Sequence, residues 1–262
     1  MIEYKSSRQL EAMDRANRIV RKILAELAER VAPGVTTEDL DRYAEQRLKE
    51  EGARPAFKGY RLPGCTDYPA VLCTSVNEEV VHGIPSPKRV LREGDIVSLD
   101  FGAVLEGLYG DAAVTVPVGN VSGEARDLIL AAKESLRLAI SQLRPGNRIS
   151  DISEAVQSYV ESQGYSVVRD FVGHGIGRNL HEDPQVPNYV ASGMRDPVLR
   201  EGMVLAIEPM IAAGSPEVEI DSSDGWTVRT RDRSLAAHWE LSVAVLATGP
   251  WILGGAAEEA AG

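Results

Sequence analysis

A repeated order of helix, break, helix and break is the feature that most constrains the fold of this chain of 262 residues. An apolar period of about 3.6 predicts a first helix over residues 7–31, which ends before Gly34, and a second helix that ends at Gly52. The pattern returns with breaks at Gly146 and Gly164, each 112 residues after its counterpart. Each half also carries strand-like segments, so the repeat predicts an α+β domain of two pseudo-symmetric halves, with the helices outside a strongly curved sheet.

The second helix of each half is expected to begin at a capping residue. Thr36 with Asp39 forms a weak capping box, and the equivalent helix is predicted to be capped near Ser150. Glycine is a common helix stop, so recurrence by chance is the alternative to a true repeat. The length permits one catalytic domain, assigned to residues 1–253, and residues 254–262 have the composition of a disordered tail.

Two acidic residues lie in strand-like segments on either side of a turn. Asp100 and Asp111 flank the turn-prone residues 105–107, so a tight hairpin would place them opposite each other on one face. Like charges at cross-strand positions repel, and one or two divalent cations between the carboxylates would compensate. Taken alone, each aspartate is about as consistent with a solvent-facing or turn-capping residue.

Two glutamates and the histidines extend this candidate site. Glu208 follows the apolar run 204–207 and Glu240 precedes another, and charged residues are rarely buried in such strands unless they are paired or bound to a metal. A single histidine is more often structural, but all four histidines of this chain stand in glycine-rich motifs or near the acids, which favours function. They are His82, His174, His181 and His238.

Composition excludes several other classes of protein. The net charge of −11 argues against nonspecific nucleic-acid binding. No apolar run reaches the ~18 residues of a membrane span, and the first residues lack the apolar core of a secretion signal, so a cytoplasmic location is expected. Cys65 and Cys73 are too few for a zinc module and are predicted to be free thiols. The GHGIG segment lacks the spacing of a nucleotide-binding loop.

Five segments, in the same order and covering about residues 7–250, resemble the type I methionine aminopeptidases. This resemblance implies the pita-bread fold, with a metal site between the halves, and removal of the N-terminal methionine from nascent polypeptides whose second residue is small. We expect a monomer that binds neither a membrane nor a specific nucleic acid. The segments are CTSVNEEVVHGIP, SLDFGAVLEGLYGD, GHGIGRNLHEDPQVPNY, GMVLAIEPM and GWTVRTRDRSLAAHWE.

The resemblance also implies a role for each candidate ligand. Asp100 would bind one of two divalent ions, His174 and Glu208 would bind the other, and Asp111 and Glu240 would bridge the pair. Four carboxylates would balance the charge of two such ions, which would activate a water molecule for hydrolysis. The oxygen-rich donor set suits Co, Mn, Fe or Zn, and the sequence does not choose among them.

The remaining residues of the motifs would contact the substrate. The resemblance implies that Glu208 transfers a proton, that His181 donates to the scissile carbonyl oxygen and that His82 contacts the scissile nitrogen. Loop capping is the alternative for His181, and core packing for the pocket residues. The methionine pocket would be formed by Tyr68, Cys73 and Trp226, with Phe57 and Tyr60 aligned less closely.

Several positions depart from the commonest pattern of that family. Leu180 replaces an aromatic residue, His238 replaces glutamine, Leu241 replaces histidine, and the segment 59–68 is two residues longer. None of these changes removes a candidate ligand, so they bear on pocket shape and on the surroundings of Glu240.

Other functions remain open at this point. A proline-directed peptidase of the same fold and a noncatalytic peptide-binding relative are the alternatives, and the second usually lacks ligands that are present here. A ribosome contact through Arg229, Arg231 and Arg233 is also open, although an exposed charged hairpin explains these residues equally simply.

Overall fold

The computed structural model describes residues 1–61 and 66–255, and this part of the chain folds into four helices and a set of antiparallel strands. The helices are α1 Ser7–Ala28, α2 Thr37–Glu50, α3 Gly123–Ser141 and α4 Ile149–Ser162. The strands are β1 Arg54–Pro55, β2 Leu72–Val76, β3 Glu79–Val81, β4 Ile96–Leu105, β5 Leu108–Pro117, β6 Ser166–Val167, β7 Gly173–Gly175, β8 Glu182–Val186, β9 Val204–Ile207, β10 Met210–Ala212, β11 Val218–Ile220, β12 Val228–Thr230, β13 Ala236–His238, β14 Glu240–Leu246 and β15 Gly249–Ile252.

The helix starts agree with the predicted caps in one half and differ slightly in the other. The Thr36 side chain accepts the Asp39 N–H at 3.1 Å, and the Asp39 carboxylate accepts the Thr36 N–H at the same distance, as a capping box requires. In the second half the cap residue is Arg148, two residues before Ser150. The reason is that the Asp151 carboxylate accepts the Arg148 N–H at 2.6 Å, which starts the helix earlier.

The two halves repeat the same backbone geometry at the break between their helices. Gly34 has a φ of +94° and Gly146 a φ of +100°, a left-handed conformation that favours glycine. The Gly34 N–H donates to the Leu91 carbonyl at 2.8 Å, and the Gly146 N–H donates to the Leu199 carbonyl at 3.1 Å. Matching turns with matching hydrogen bonds support a true structural repeat over chance recurrence of helix stops.

The central sheet joins the two halves. Its strands follow the order β1-β4-β5-β14-β9-β7-β8, with β2 beside β4 and β15 beside β14, and every pair is antiparallel. The halves meet where β5 pairs with β14, through Ala113 opposite Glu240 and Ala112 opposite Leu241. Helices α1 and α2 share a buried core with the first half of this sheet, and α3 and α4 with the second half.

The hairpin of β4 and β5 forms as predicted, but its register differs from the expectation. The turn residues Glu106 and Gly107 have φ values of +53° and +77°, which suits a two-residue hairpin loop. Asp100 pairs with Ala113, and Asp111 pairs with Gly102. The two aspartates therefore share one face as diagonal neighbours rather than direct partners, because a two-residue loop sets the register two positions away from direct opposition.

Helix α1 lies unusually close to the strand that carries Asp111. A Cβ atom on Gly110 would lie 2.8 Å from the backbone nitrogen of Asn17, so only glycine allows this approach. The Asn17 side chain in turn accepts the Asp111 N–H at 3.2 Å. The backbone of Asp111 is therefore held from the helix side of the sheet while its side chain points to the other face.

Some expectations concern residues outside the described part. Cys65 and most of the predicted tail, residues 256–262, belong to this group, whereas Cys73 is a buried free thiol. Across residues 1–61 and 66–255, no helix combines the length and the apolar composition that a membrane span needs.

Candidate metal centre

All five predicted metal ligands line one cavity of about 520 Å³. The sheet order explains this, because β4, β5, β14, β9 and β7 are consecutive neighbours and each strand carries one ligand or ends beside one. The antiparallel pairing of short strands brings residues that are far apart in sequence onto one face. The ligands in sheet order are Asp100, Asp111, Glu240, Glu208 and His174.

The small residue Ala113 stands between two of these carboxylates. Asp100 on β4 and Glu240 on β14 both pair with Ala113 on β5, so the acidic side chains flank a methyl group in one row across the sheet. Asp111 lies two residues along β5 on the same face. Asp111 and Glu240 are only 4% and 3% exposed, and such burial of neighbouring carboxylates requires compensation.

The unpaired oxygen atoms of this cluster fit a bound divalent metal. In the described part of the chain, Oδ1 of Asp100, Oδ1 of Asp111 and Oε1 of Glu240 are buried and have no hydrogen-bond partner. A buried carboxylate without donors is costly, whereas a cation satisfies several such oxygens at once. Asp111, His174 and Glu240 each offer one ligand atom, and these atoms lie within 4.8 Å of one another.

Without a bound metal, ionisation of these buried carboxyl groups is unfavourable. Burial raises the pKa of Asp100 to about 7. Burial, and then the neighbouring carboxylates, raise the pKa of Asp111, Glu208 and Glu240 well above the ordinary range. Burial and His181 lower the pKa of His174 to about 3, so this imidazole is neutral and free to bind a metal.

We therefore expect the stability of the metal-free protein to fall between pH 6.5 and pH 8. A carboxyl group whose pKa is higher in the folded chain stabilises the fold while protonated, and this stabilisation is lost as pH rises through the folded pKa. The histidines have lowered pKa values in the folded chain, so their effect is to increase stability as pH rises. This increase is nearly complete once the pH exceeds their unfolded pKa of about 6.5. Each unit of carboxyl shift within the window corresponds to about 1.4 kcal/mol.

Urea denaturation of chelator-treated protein at the two pH values measures this change. Saturating divalent metal is expected to remove it, because the ion binds the ionised carboxylates. A metal-free protein that is equally stable or more stable at pH 8 would show that the four acids are not destabilising as described.

His181 lies beside the candidate ligands and is oriented by a tyrosine. Its ring centroid is 4.3 Å from that of His174, and its Nδ1 atom is 2.6 Å from the hydroxyl oxygen of Tyr60. Burial lowers the pKa of His181 and raises that of Tyr60, so both groups are neutral at neutral pH. When the Tyr60 hydroxyl donates to Nδ1, the imidazole proton is on Nε2.

A buried ion pair, which sequence reasoning missed, fixes the turn that carries His181. The Glu182 carboxylate accepts the N–H groups of Arg178 at 2.7 Å and Asn179 at 3.1 Å, and Nζ of Lys5 lies 2.5 Å from its other oxygen. Lys5 and Glu182 are 177 positions apart, so no local pattern predicts the pair. The N-terminal segment thereby braces the turn between His174 and His181.

His82 occupies a strained backbone position in the same cavity. It has a φ of +60°, which a residue other than glycine adopts rarely. Its ring packs edge-on against Phe171 at 5.4 Å and Trp226 at 6.1 Å between centroids. Burial and the neighbouring His181 lower its pKa to about 4, so the imidazole is neutral.

The predicted methionine pocket forms an apolar wall of this cavity. The Tyr68 and Trp226 rings meet edge-on at 5.2 Å, and the Trp226 Nε1–H donates to the Thr66 carbonyl at 3.0 Å. Burial raises the pKa of the Cys73 thiol, which therefore stays uncharged. Phe57 and Tyr60 also line the cavity, as do Phe171 and Met210, which sequence reasoning missed. Phe171 was detectable only as an apolar neighbour of the GHGIG motif.

The positions that depart from the family pattern have different locations. Leu180 and His238 line the cavity, but Leu241 packs into the core on the other side of the sheet, because adjacent residues of β14 face opposite sides. Leu241 therefore does not border the site. The expectation that this substitution changes the surroundings of Glu240 on the cavity side is wrong. Residues 62–65 of the longer segment lie outside the described part.

Comparisons with known sequences agree with this geometry. Residues 11–246 match the model of a family described as metallopeptidase family M24. The chain is 53% identical over 253 residues to a methionine aminopeptidase of Clostridium acetobutylicum, which covers 97% of this chain and 98% of that relative.

Solved structures show the same fold. A crystal structure of methionine aminopeptidase from Thermotoga maritima matches with a TM-score of 0.92 and 45% identity, over 98% of this chain and 100% of that chain. The prolidase from Pyrococcus horikoshii OT3 matches with a TM-score of 0.75 and 22% identity, over 96% of this chain and 63% of that chain. The second likeness shows the fold alone, and together they confirm the pita-bread architecture predicted from the sequence.

Proposed function

Because the chain belongs to metallopeptidase family M24, and within it to the methionine aminopeptidases, we propose that it releases the N-terminal methionine of polypeptides by hydrolysing the first peptide bond. The observation that carries this proposal is a single cavity in which five metal-ligand candidates, of which Asp111, His174 and Glu240 are buried, face an aromatic wall. Release of methionine from Met-Ala-Ser by the metal-loaded protein, compared with release of alanine from an Ala-Pro peptide, tests it.

We propose that two divalent ions occupy the site, and the charge of the four carboxylates supports this number. Asp100 would hold one ion, His174 and Glu208 the other, and Asp111 and Glu240 would bridge them. When bound, Co, Mn, Fe or Zn would lower the pKa of a water molecule and stabilise negative charge on the substrate carbonyl oxygen. Metal titration followed by calorimetry would measure the number of ions.

The protein groups around the metals would move protons and orient the substrate. Glu208, whose carboxylate lies at the cavity wall, would accept the proton of the attacking water and pass it to the leaving amine. His181 would donate from Nε2 to the scissile carbonyl oxygen, in the tautomer set by Tyr60. His82, a half-buried neutral imidazole, would contact the scissile nitrogen.

The apolar wall would select methionine. The aromatic rings of Tyr68 and Trp226 line the cavity, and Cys73 adds a small polarisable group. Such a surface suits methionine, because its flexible thioether makes favourable contacts with aromatic rings. Both aromatic rings are held by hydrogen bonds to backbone carbonyls, from the Tyr68 hydroxyl to Gly83 at 3.0 Å and from Trp226 to Thr66. Their positions are therefore set before a substrate binds, which reduces the ordering cost of binding.

The second residue of the substrate is expected to be small. Its side chain would lie in the same cavity, beside the metal ligands and His82. Overfilling a packed site costs about 1 to 3 kcal/mol, so kcat/KM for Met-Ile-Ser is expected to be on the order of 10- to 100-fold below that for Met-Ala-Ser. Steady-state kinetics on the two tripeptides, with Met-Gly-Ser as a second small residue, measure the ratio.

Equal turnover of Met-Ile-Ser and Met-Ala-Ser would contradict this preference without affecting the proposed reaction. A Leu-Ala-Ser peptide separates the two pockets, because it changes only the first side chain. If Met-Ile-Ser and Met-Ala-Ser are turned over equally, Leu180 and the segment 59–68, which depart from the family pattern, would be the first positions to mutate.

The alternative functions have less support. Identity to the prolidase is 22%, against 45% and 53% to the methionine aminopeptidases, and a noncatalytic relative would not be expected to keep all five ligands. Nascent polypeptide N-termini are therefore the proposed substrates, acted on by a monomer in the cytoplasm. Arg229 and Arg233 already form ion pairs with Glu79 and Glu219, so a ribosome contact through this hairpin stays a prediction.

A further inference from the structure

His238 is a buried histidine to which the proposed mechanism gives no role. It is the last residue of β13 and is 1% exposed. Its backbone is fixed on both sides by Thr115, whose hydroxyl oxygen accepts the His238 N–H at 2.9 Å and whose O–H donates to the His238 carbonyl at 2.7 Å. The strand therefore holds the imidazole in the wall of the cavity that contains the candidate ligands.

Among residues 1–61 and 66–255, neither ring nitrogen of His238 has a hydrogen-bond partner. Its closest charged neighbours are two carboxylates, since Nε2 is 3.9 Å from Oε2 of Glu208 and 4.0 Å from Oε2 of Glu240. Both separations are too long for a hydrogen bond. They do suit a shared cation, because metal–ligand bonds of about 2.0 to 2.2 Å allow two donors on one ion to lie up to ~4.2 Å apart.

The two carboxylates and the imidazole form a candidate set of metal donors. Glu208, His238 and Glu240 each offer one ligand atom, and these atoms lie within 4.8 Å of one another. A second set of the same kind, Asp111, His174 and Glu240, shares Glu240 with the first. The shared glutamate places the two sets side by side, and each set then contains its own imidazole.

We propose that His238 is a metal ligand, which with Glu208 and Glu240 binds one of the two divalent ions while His174 binds the other. Glu208, with Oε1 3.4 Å from Nε2 of His174 and Oε2 3.9 Å from Nε2 of His238, would then contact both ions rather than one. The inference rests on the proposed function only in requiring a divalent-metal site, and it adds a sixth ligand to the five predicted from the sequence. A neutral imidazole leaves the charge balance unchanged. It also adds a nitrogen donor, which favours Co and Zn over Mn at this position.

Glutamine is the matched replacement, because it keeps a polar side chain at a position where glutamine is common in the family. Wild-type protein and the His238→Gln variant would be loaded with two equivalents of Co²⁺, and X-ray absorption would count the imidazoles bound to the metals. We expect two imidazoles per two ions in the wild type and one in His238→Gln. Calorimetry should show at least about tenfold weaker binding of one equivalent in the variant.

Two further variants control this assignment. His174→Gln is expected to lower the count to one as well, and His181→Ala is expected to leave it at two, since His181 is proposed to contact substrate rather than metal. Unfolding of the metal-free variants by urea checks that each one is folded. If His238→Gln does not fold, the count in the wild type and in His181→Ala still decides the question.

A single imidazole per two ions in the wild type, with an unchanged metal affinity in His238→Gln, would overturn the proposal and leave His238 as a hydrogen-bond partner of Glu208. The measurement needs no substrate, so it is independent of turnover. Failure to release methionine from Met-Ala-Ser would contradict the proposed function without changing the imidazole count.

Discussion

Replacing Asp111 by asparagine should nearly abolish turnover of Met-Ala-Ser. Asp111 is buried, and its Oδ1 has no hydrogen-bond partner in the part of the chain that the structure describes, so a bridging metal contact is the role proposed for it. A neutral amide is a poor bridge between two cations. Because loss of an outer hydrogen-bond partner of a ligand already costs about 10- to 100-fold, we expect Asp111→Asn to lower kcat/KM by more than that and added metal not to restore it.

The fold of this variant can be tested separately from its activity. Asp111→Asn removes one of four mutually repelling carboxylates, so the metal-free variant should be more stable to urea at pH 8 than the metal-free wild type. Chelation of the wild type should abolish turnover reversibly. Full activity in rigorously metal-free wild type would exclude the proposed metal-dependent mechanism.

The second large effect is expected at His181. Loss of one donor to a developing oxyanion costs about 100- to 1000-fold in kcat, so His181→Ala should turn over at least about 100-fold more slowly while binding metal normally. Its ring lies beside His174 but is proposed to donate to the substrate rather than to bind the ion. Steady-state kinetics together with metal analysis of the same sample measure both quantities.

Tyr60→Phe is the matched control for the orientation of His181. It removes only the hydroxyl at 2.6 Å from Nδ1, so we expect a smaller loss in kcat, of about tenfold, with an unchanged metal content. Loss of metal from His181→Ala, with normal activity for each metal-loaded site, would instead identify His181 as a ligand.

Much of the fold could be predicted because the relevant signals are local. The apolar period over residues 7–31 predicts a helix observed at Ser7–Ala28, and the turn at Glu106-Gly107 predicts the β4–β5 hairpin. The acidic residues beside apolar strands identify the candidate ligands, since the cost of burying a charge applies wherever the strand lies. The cap predicted near Ser150 is observed at Arg148, whose N–H donates to the Asp151 carboxylate.

The register of the strands, and therefore the neighbours of each side chain, could not be predicted from any single segment. Asp100 and Asp111 lie diagonally because the hairpin loop sets their register, and Leu241 faces away from the site because side chains alternate along β14. A shift of one residue in either strand would reverse these orientations. Pattern alone therefore predicts that a carboxylate lies in a strand, but not which neighbour it meets.

By itself the sequence determined the helices, the repeat, the family and the chemical identity of the candidate ligands, because periodicity, turn chemistry and motif order are carried within short windows. Only the tertiary structure decided which distant groups meet: Tyr60 with His181, Lys5 with Glu182, and His238 between Glu208 and Glu240. These contacts join strands and loops that are close only after the two halves pack on one sheet. Their distances depend on that packing, which no local pattern encodes.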